Sequence, residues 1–209
     1  MRIAVFGAGG AVGSRVVAEA LARGHEVTAV ARRAAPVPAG ARLLIGDASS
    51  ADQVENLTGG QDLVIAATRP APGAEAELPV VAAALLEGVA RSGVRLLVVG
   101  GAATLVVPGT VLALHETPDF PGELAAIALA CAEQLAVCRA DTVADWAYLS
   151  PPADLAPGVR TGNYRIGGDE LLVDADGTSA ISMEDFAVAL LDEAERPAHR
   201  RTRFTVAAA

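Results

Sequence analysis

The sequence has no lysine: its 16 basic residues other than histidine are all arginine. A Walker-type phosphate loop, a Schiff-base nucleophile and a Tyr-x-x-x-Lys catalytic pair each need a lysine amine, so none of the three can be built here. A compositional preference for arginine on surfaces accounts for the replacement, and the exclusions hold whatever its origin. Aromatic residues are 3% of the chain, with a single tryptophan and two tyrosines. No apolar run reaches the roughly 20 residues that span a bilayer, and Met1–Phe6 runs into glycines where a signal peptide would continue apolar. The expectation is a cytoplasmic protein with no membrane partner. Positive charge is also short, 16 against 25 acidic residues for a net charge of −9, which repels phosphate backbones and argues against nucleic acid. Cysteine occurs twice, at 131 and 138. Seven residues of helix hold them about 10 Å apart, too far for a disulfide, so buried inert thiols are favoured over a redox pair.

Alanine is abundant, 46 of 209 residues, and suits helices packed closely on a sheet. The length fits one domain, 1–209, with 150–182 set apart as a substrate-side lobe. Apolar runs at 3–6, 27–30, 43–45, 63–66, 96–99 and 146–149 alternate with helical patterns near 52–57, 79–91 and 123–139. Val12, Val16 and Ala20, with Val17 and Leu21, form the first helix's apolar stripe, ended by Arg23 and Gly24. Alternating strands and helices predict an α/β Rossmann-type, doubly wound parallel sheet. After Ser150 the prolines and paired glycines predict a small C-terminal lobe of loops and hairpins. Ser182 and Asp185 read as a capping box for a helix reaching Glu195, and 204–206 as a closing strand.

Gly7-Ala8-Gly9-Gly10-Ala11-Val12-Gly13 lies between the first strand and first helix, where a dinucleotide loop belongs. Gly7 permits the turn, Gly10 a close approach of pyrophosphate, and Gly13 close helix-to-strand packing. The spacing is G-x-x-G-x-x-G instead of the majority G-x-G-x-x-G. The second strand ends in Arg32 and Arg33, where a carboxylate would bond the ribose 2′-hydroxyl of NAD; two guanidiniums suit a 2′-phosphate and favour NADP, NADPH over NADH. Asp47 is placed either to meet the adenine or to serve as a plain turn aspartate.

These stretches, with RGHEVTAVARR, GDASS, LLVVGGAATL, DWAYLSPP and RTGNYRIGGDELLVD, resemble the atypical short-chain dehydrogenase/reductase group, in particular NAD(P)H-binding, NmrA-like proteins described as NADH-flavin reductases. The resemblance covers nearly the whole chain. It implies a seven-strand parallel sheet. It also implies dinucleotide binding by Gly7, Gly9, Gly10, Ala11, Val12 and Gly13, by Arg32 and Arg33, and by Asp47 and Ala48. Ala66, Ala67, Thr68 and Gly100 would line the nicotinamide side. Where such proteins carry a serine after the fifth strand, this chain has Thr104 as the candidate hydroxyl. Tyr148 and Tyr164 have Pro152 and Gly168 four residues on, so neither belongs to a Tyr-x-x-x-Lys pair.

Carbonyl reduction by a phenol acid is therefore disfavoured. Hydride transfer to a flavin, quinone or similar conjugated acceptor makes smaller demands, since the acceptor spreads the charge and takes its proton from solvent. The leading expectation is an NADPH-dependent reductase of such a small-molecule acceptor. The alternative is a non-catalytic NADP(H)-sensing regulator; a sugar epimerase is weakened by the missing lysine and the short chain. Phe120, Trp146 and Tyr148 are the candidate pocket walls, with Pro151 and Tyr164 nearer the entrance; Phe120 and Trp146 read equally well as core residues. Of the histidines, His25 reads as a turn residue and His199 as surface. His115 is the candidate proton donor, with 118–121 as a candidate lid.

Overall fold

The computed structural model describes residues 1–34 and 36–209. Its core is a sheet of strands β1 (Arg2–Phe6), β2 (Glu26–Ala31), β3 (Arg42–Ile45), β4 (Leu63–Ala66), β5 (Arg95–Val99), β6 (Trp146–Ser150), β8 (Tyr164–Gly167) and β10 (Thr202–Ala208). The order is β3-β2-β1-β4-β5-β6-β10-β8. Seven strands run parallel and only β8 lies antiparallel, against β10. Strands covered by helices on both faces must be apolar throughout, and β1, β4 and β6 are buried along almost their full length.

Helices α1 (Ala11–Ala22) and α5 (Met183–Glu195) cover one face, and α2 (Ala51–Thr58), α3 (Glu77–Ser92) and α4 (Ala125–Ala140) the other. On α1, Val16, Val17 and Ala20 are buried at helical spacing, with Val12 and Leu21 beside them. Phe186, Leu190 and Leu191 anchor α5. Each fully buried Val, Leu or Phe among them contributes roughly 1.5–3 kcal/mol by burial. Gly24 takes φ 78°, the left-handed turn that stops α1.

The segment after Ser150 departs from expectation. It forms no hairpin among its strands: β7 (Asp154–Ala156) pairs in parallel with β9 (Ala180–Ser182), while β8 crosses to the main sheet. The outer edge of β10 explains this, since an open edge of unpaired backbone needs covering and Tyr164–Gly167 supply it. The capping box is also half of what was expected. Ser182 Oγ accepts from Asp185 N–H at 3.0 Å. The Asp185 carboxylate instead receives the Thr161 and Gly162 N–H groups and the Thr161 hydroxyl, tying the 157–163 strap to α5.

The direction of chain travel reverses between β1 and β4. Parallel strands open a crevice at their carboxyl ends at such a switch point, and the glycine loop lies there.

Candidate dinucleotide cleft

The floor of the crevice is backbone packed on backbone. Gly7 adopts φ +78°, and a Cβ there would stand 2.3 Å from the Ala67 carbonyl oxygen; one on Gly13 would stand 2.1 Å from that of Gly7. No other residue fits either position. Gly10 is exposed and less constrained: its Cβ would stand 3.2 Å from the Gly7 carbonyl oxygen, tight but not prohibitive. Gly10 caps α1 without a side chain, and the first turn carries no acidic residue. The leading N–H groups of the helix, on Ala11, Val12 and Gly13, are thus left to an outside acceptor at the positive end of the dipole. Gly9, Gly10 and Ala11 are exposed around it. This cradle fits a pyrophosphate.

On the β2–β3 side, Arg32 and Arg33 are exposed. Asp47 Oδ1 accepts from the Ser49 N–H and hydroxyl at 2.9 and 2.8 Å, and these bonds, with Arg32 nearby, lower its carboxyl below the usual range. Ala48 is buried beneath. Across the crevice, Ala66 and Ala67 are buried, so they offer backbone, while Thr68 and Gly100 are half-buried at the edge.

The candidate pocket residues separate. Tyr148 is not a wall: it is 0% exposed, its ring fills the place a Gly100 Cβ would take, and its hydroxyl donates to Gln134 Oε1 at 3.0 Å. Burial pushes that phenol far above its ordinary range. Tyr164 is not a wall either. Its hydroxyl donates to Asp192 at 2.7 Å, and Asp192 pairs with Arg23 at the far end of α1, about 18 Å of helix from the glycine loop. Burial and the Asp192 bond raise its phenol as well. Pro151 is buried at the carboxyl end of β6, and Phe120 is half-buried on the segment after the 3-10 turn Leu114–Glu116.

Thr104 and His115 are linked only through the backbone of the residue before Thr104. His115 donates its backbone N–H and its Nδ1–H to the Ala103 carbonyl, at 3.0 and 2.7 Å. A carbonyl only accepts, so Nδ1 carries the hydrogen and Nε2 is the free nitrogen. Thr104 Oγ1 accepts from Arg203 Nη1 at 2.8 Å, which anchors the loop to β10 and engages the hydroxyl oxygen. Arg203 also donates to Asp169 Oδ1 at 2.7 Å. Nothing in the strand pattern marked Arg203, and the same holds for Gln134 and for Glu77, which pairs with Arg32. His25 bonds Glu195 at the opposite sheet edge. His199 is not a surface residue but half-buried, stacked on Phe204 and bonded to Glu193.

Fold and cleft together define a Rossmann dinucleotide-binding protein. Residues 7–195 match the NAD(P)H-binding family, and the chain belongs to that family, so its cofactor is a nicotinamide dinucleotide. It is 39% identical to the uncharacterised protein YwnB of Bacillus subtilis, across 99% of this chain and 98% of that one. Among solved structures, a candidate NADH-flavin reductase of Streptococcus pneumoniae superposes with a TM-score of 0.91 at 33% identity, each chain covered in full. A candidate epimerase of Bacteroides thetaiotaomicron does so with 0.89 at 39% identity, covering 99% of this chain and 96% of that one.

Proposed function

We propose that the protein is an NADPH-dependent reductase of a flavin, quinone or similar conjugated acceptor. The observation that carries this reading is the state of the two tyrosines. Tyr148 is sealed in the core and Tyr164 is held by Asp192, both with phenols raised, and the chain has no lysine to lower either. A carbonyl acceptor that needs a phenol acid has none here.

The bound nicotinamide supplies a hydride. The chain's residues supply the rest. The amides of Ala11, Val12 and Gly13 hold the pyrophosphate, Arg32 and Arg33 the 2′-phosphate, and Asp47 the adenosine side. Thr68, Gly100 and Pro151 border the reacting face, and a planar acceptor stacked there needs positioning more than acid catalysis. Where a proton is required beyond solvent, His115 gives it from Nε2 in its imidazolium form, since the neutral ring carries its hydrogen on Nδ1. The similarity to a candidate NADH-flavin reductase over the full length supports this class.

The test is NADPH oxidation by purified protein with flavin mononucleotide, quinones and biliverdin. Turnover above the protein-free background is expected; background rates with all three overturn the reading. The engaged Thr104 hydroxyl favours a second reading, a non-catalytic NADP(H) sensor. It predicts different affinities for NADP and NADPH or a nucleotide-dependent change in sedimentation, and identical titrations with unchanged sedimentation count against it.

A further inference from the structure

Arg32, the guanidinium given to the 2′-phosphate above, is already engaged. Its Nη1 lies 3.6 Å from Glu77 Oε2, and both side chains are more than half exposed. Its charge also reaches Asp47, whose carboxyl it helps to lower. Arg32 follows β2, Asp47 follows β3, and Glu77 opens α3, so two separate elements bring carboxylates near the one arginine. Arg33, next in sequence, forms no ion pair among the described residues.

A 2′-phosphate arriving at Arg32 therefore meets the negative charges of Glu77 and, farther off, Asp47, in a chain whose net charge is −9. Asp47 is committed to the turn by its bonds to Ser49. Glu77 has no such commitment. It sits in the first turn of α3, where a carboxylate is favoured by the helix dipole with or without a partner.

We infer that Glu77 is a specificity-determining residue for the dinucleotide: it competes with the 2′-phosphate for Arg32, so it weakens NADPH binding and leaves NADH, which has no 2′-phosphate, untouched. The inference rests on the assignment of Arg32 to that phosphate. An exposed ion pair is weak and screened by salt, so the competition is worth a few-fold in affinity.

The experiment is a fluorescence titration of NADPH and NADH onto the wild type, Glu77→Gln, Arg32→Gln and the double variant, at low and high salt. Glu77→Gln is expected to tighten NADPH by about two- to fivefold at low salt, to leave NADH unchanged, and to lose most of its effect in the Arg32→Gln background. An unchanged NADPH affinity in Glu77→Gln overturns the inference, as does an equal shift for NADH. If Arg32→Gln fails to weaken NADPH, the assignment of Arg32 falls and the inference with it. If Arg32→Gln weakens NADPH while Glu77→Gln is silent, only the inference falls.

Discussion

Gly10 and Gly13 are three residues apart and under different constraints. Gly13 is required by the fold, because a Cβ would stand 2.1 Å from a backbone carbonyl that cannot swing aside. Gly13→Ala is expected to lower stability by about 2 kcal/mol or more in denaturant unfolding. Gly10→Ala brings its Cβ only to 3.2 Å from the same carbonyl oxygen, a tight contact that a shift of a few tenths of an ångström relieves, and is expected to cost less stability than Gly13→Ala while weakening NADPH in a titration. Equal effects of the two on stability would contradict the division. His115 is judged by the same kind of contrast. Its Nδ1 is held and its Nε2 is free, so His115→Ala should lower turnover without changing NADPH affinity; wild-type rates would remove it from the chemistry.

Between α1, α5 and the 157–163 strap, Glu19 is buried and accepts two bonds from Arg160, at 2.7 and 2.8 Å, and one from Arg23. These bonds, Arg160 first, hold its carboxyl at about 2 against an ordinary 4.5. A carboxyl depressed in the folded state stabilises the fold above its unfolded value and loses that contribution as pH falls through the folded one. The window is pH 4.5 down to about 2. Glu19→Gln should flatten the acid limb of a stability-against-pH curve across that window; a parallel curve would refute the role. On α4, burial pushes the Cys138 thiol up to about 12 and raises Cys131 as well. Cys138 should resist a thiol reagent in the native state and react on unfolding.

The elements that could be read in advance were those written locally. The stripe Val12, Val16, Ala20 and the stop at Gly24 fall within one helix, and the glycine loop within one turn. Tyr148 could not be read that way. In β6 every residue from Trp146 to Ser150 is buried, so the strand has no polar alternation to distinguish a core ring from a pocket wall. Tyr164, Arg203 and Asp185 owe their roles to partners 20 to 100 residues away, which no local pattern encodes. The strap's pairing with α5 and the crossing of β8 to β10 are of the same kind.

For the molecule as a whole, the parallel sheet places one crevice between β1 and β4 and lines it with an uncapped helix end, two arginines and no ionisable phenol. No helix among the described residues is long and apolar enough to cross a membrane. A dinucleotide that binds only the folded state stabilises it by mass action, by about 2.7 kcal/mol at a hundredfold excess over Kd. The melting temperature is therefore expected to rise with NADPH, and to rise less with equimolar NADH; the reverse order would contradict the part assigned to Arg32 and Arg33.

The most direct test sets acceptors against one another. Purified protein with NADPH, kept anaerobic, is mixed either with flavin mononucleotide or with a simple aliphatic ketone, and nicotinamide oxidation is followed by absorbance. Oxidation with the flavin and none with the ketone is the predicted result. Ketone reduction at a comparable rate would show that a proton donor exists where this structure provides no suitable phenol, and would contradict the account.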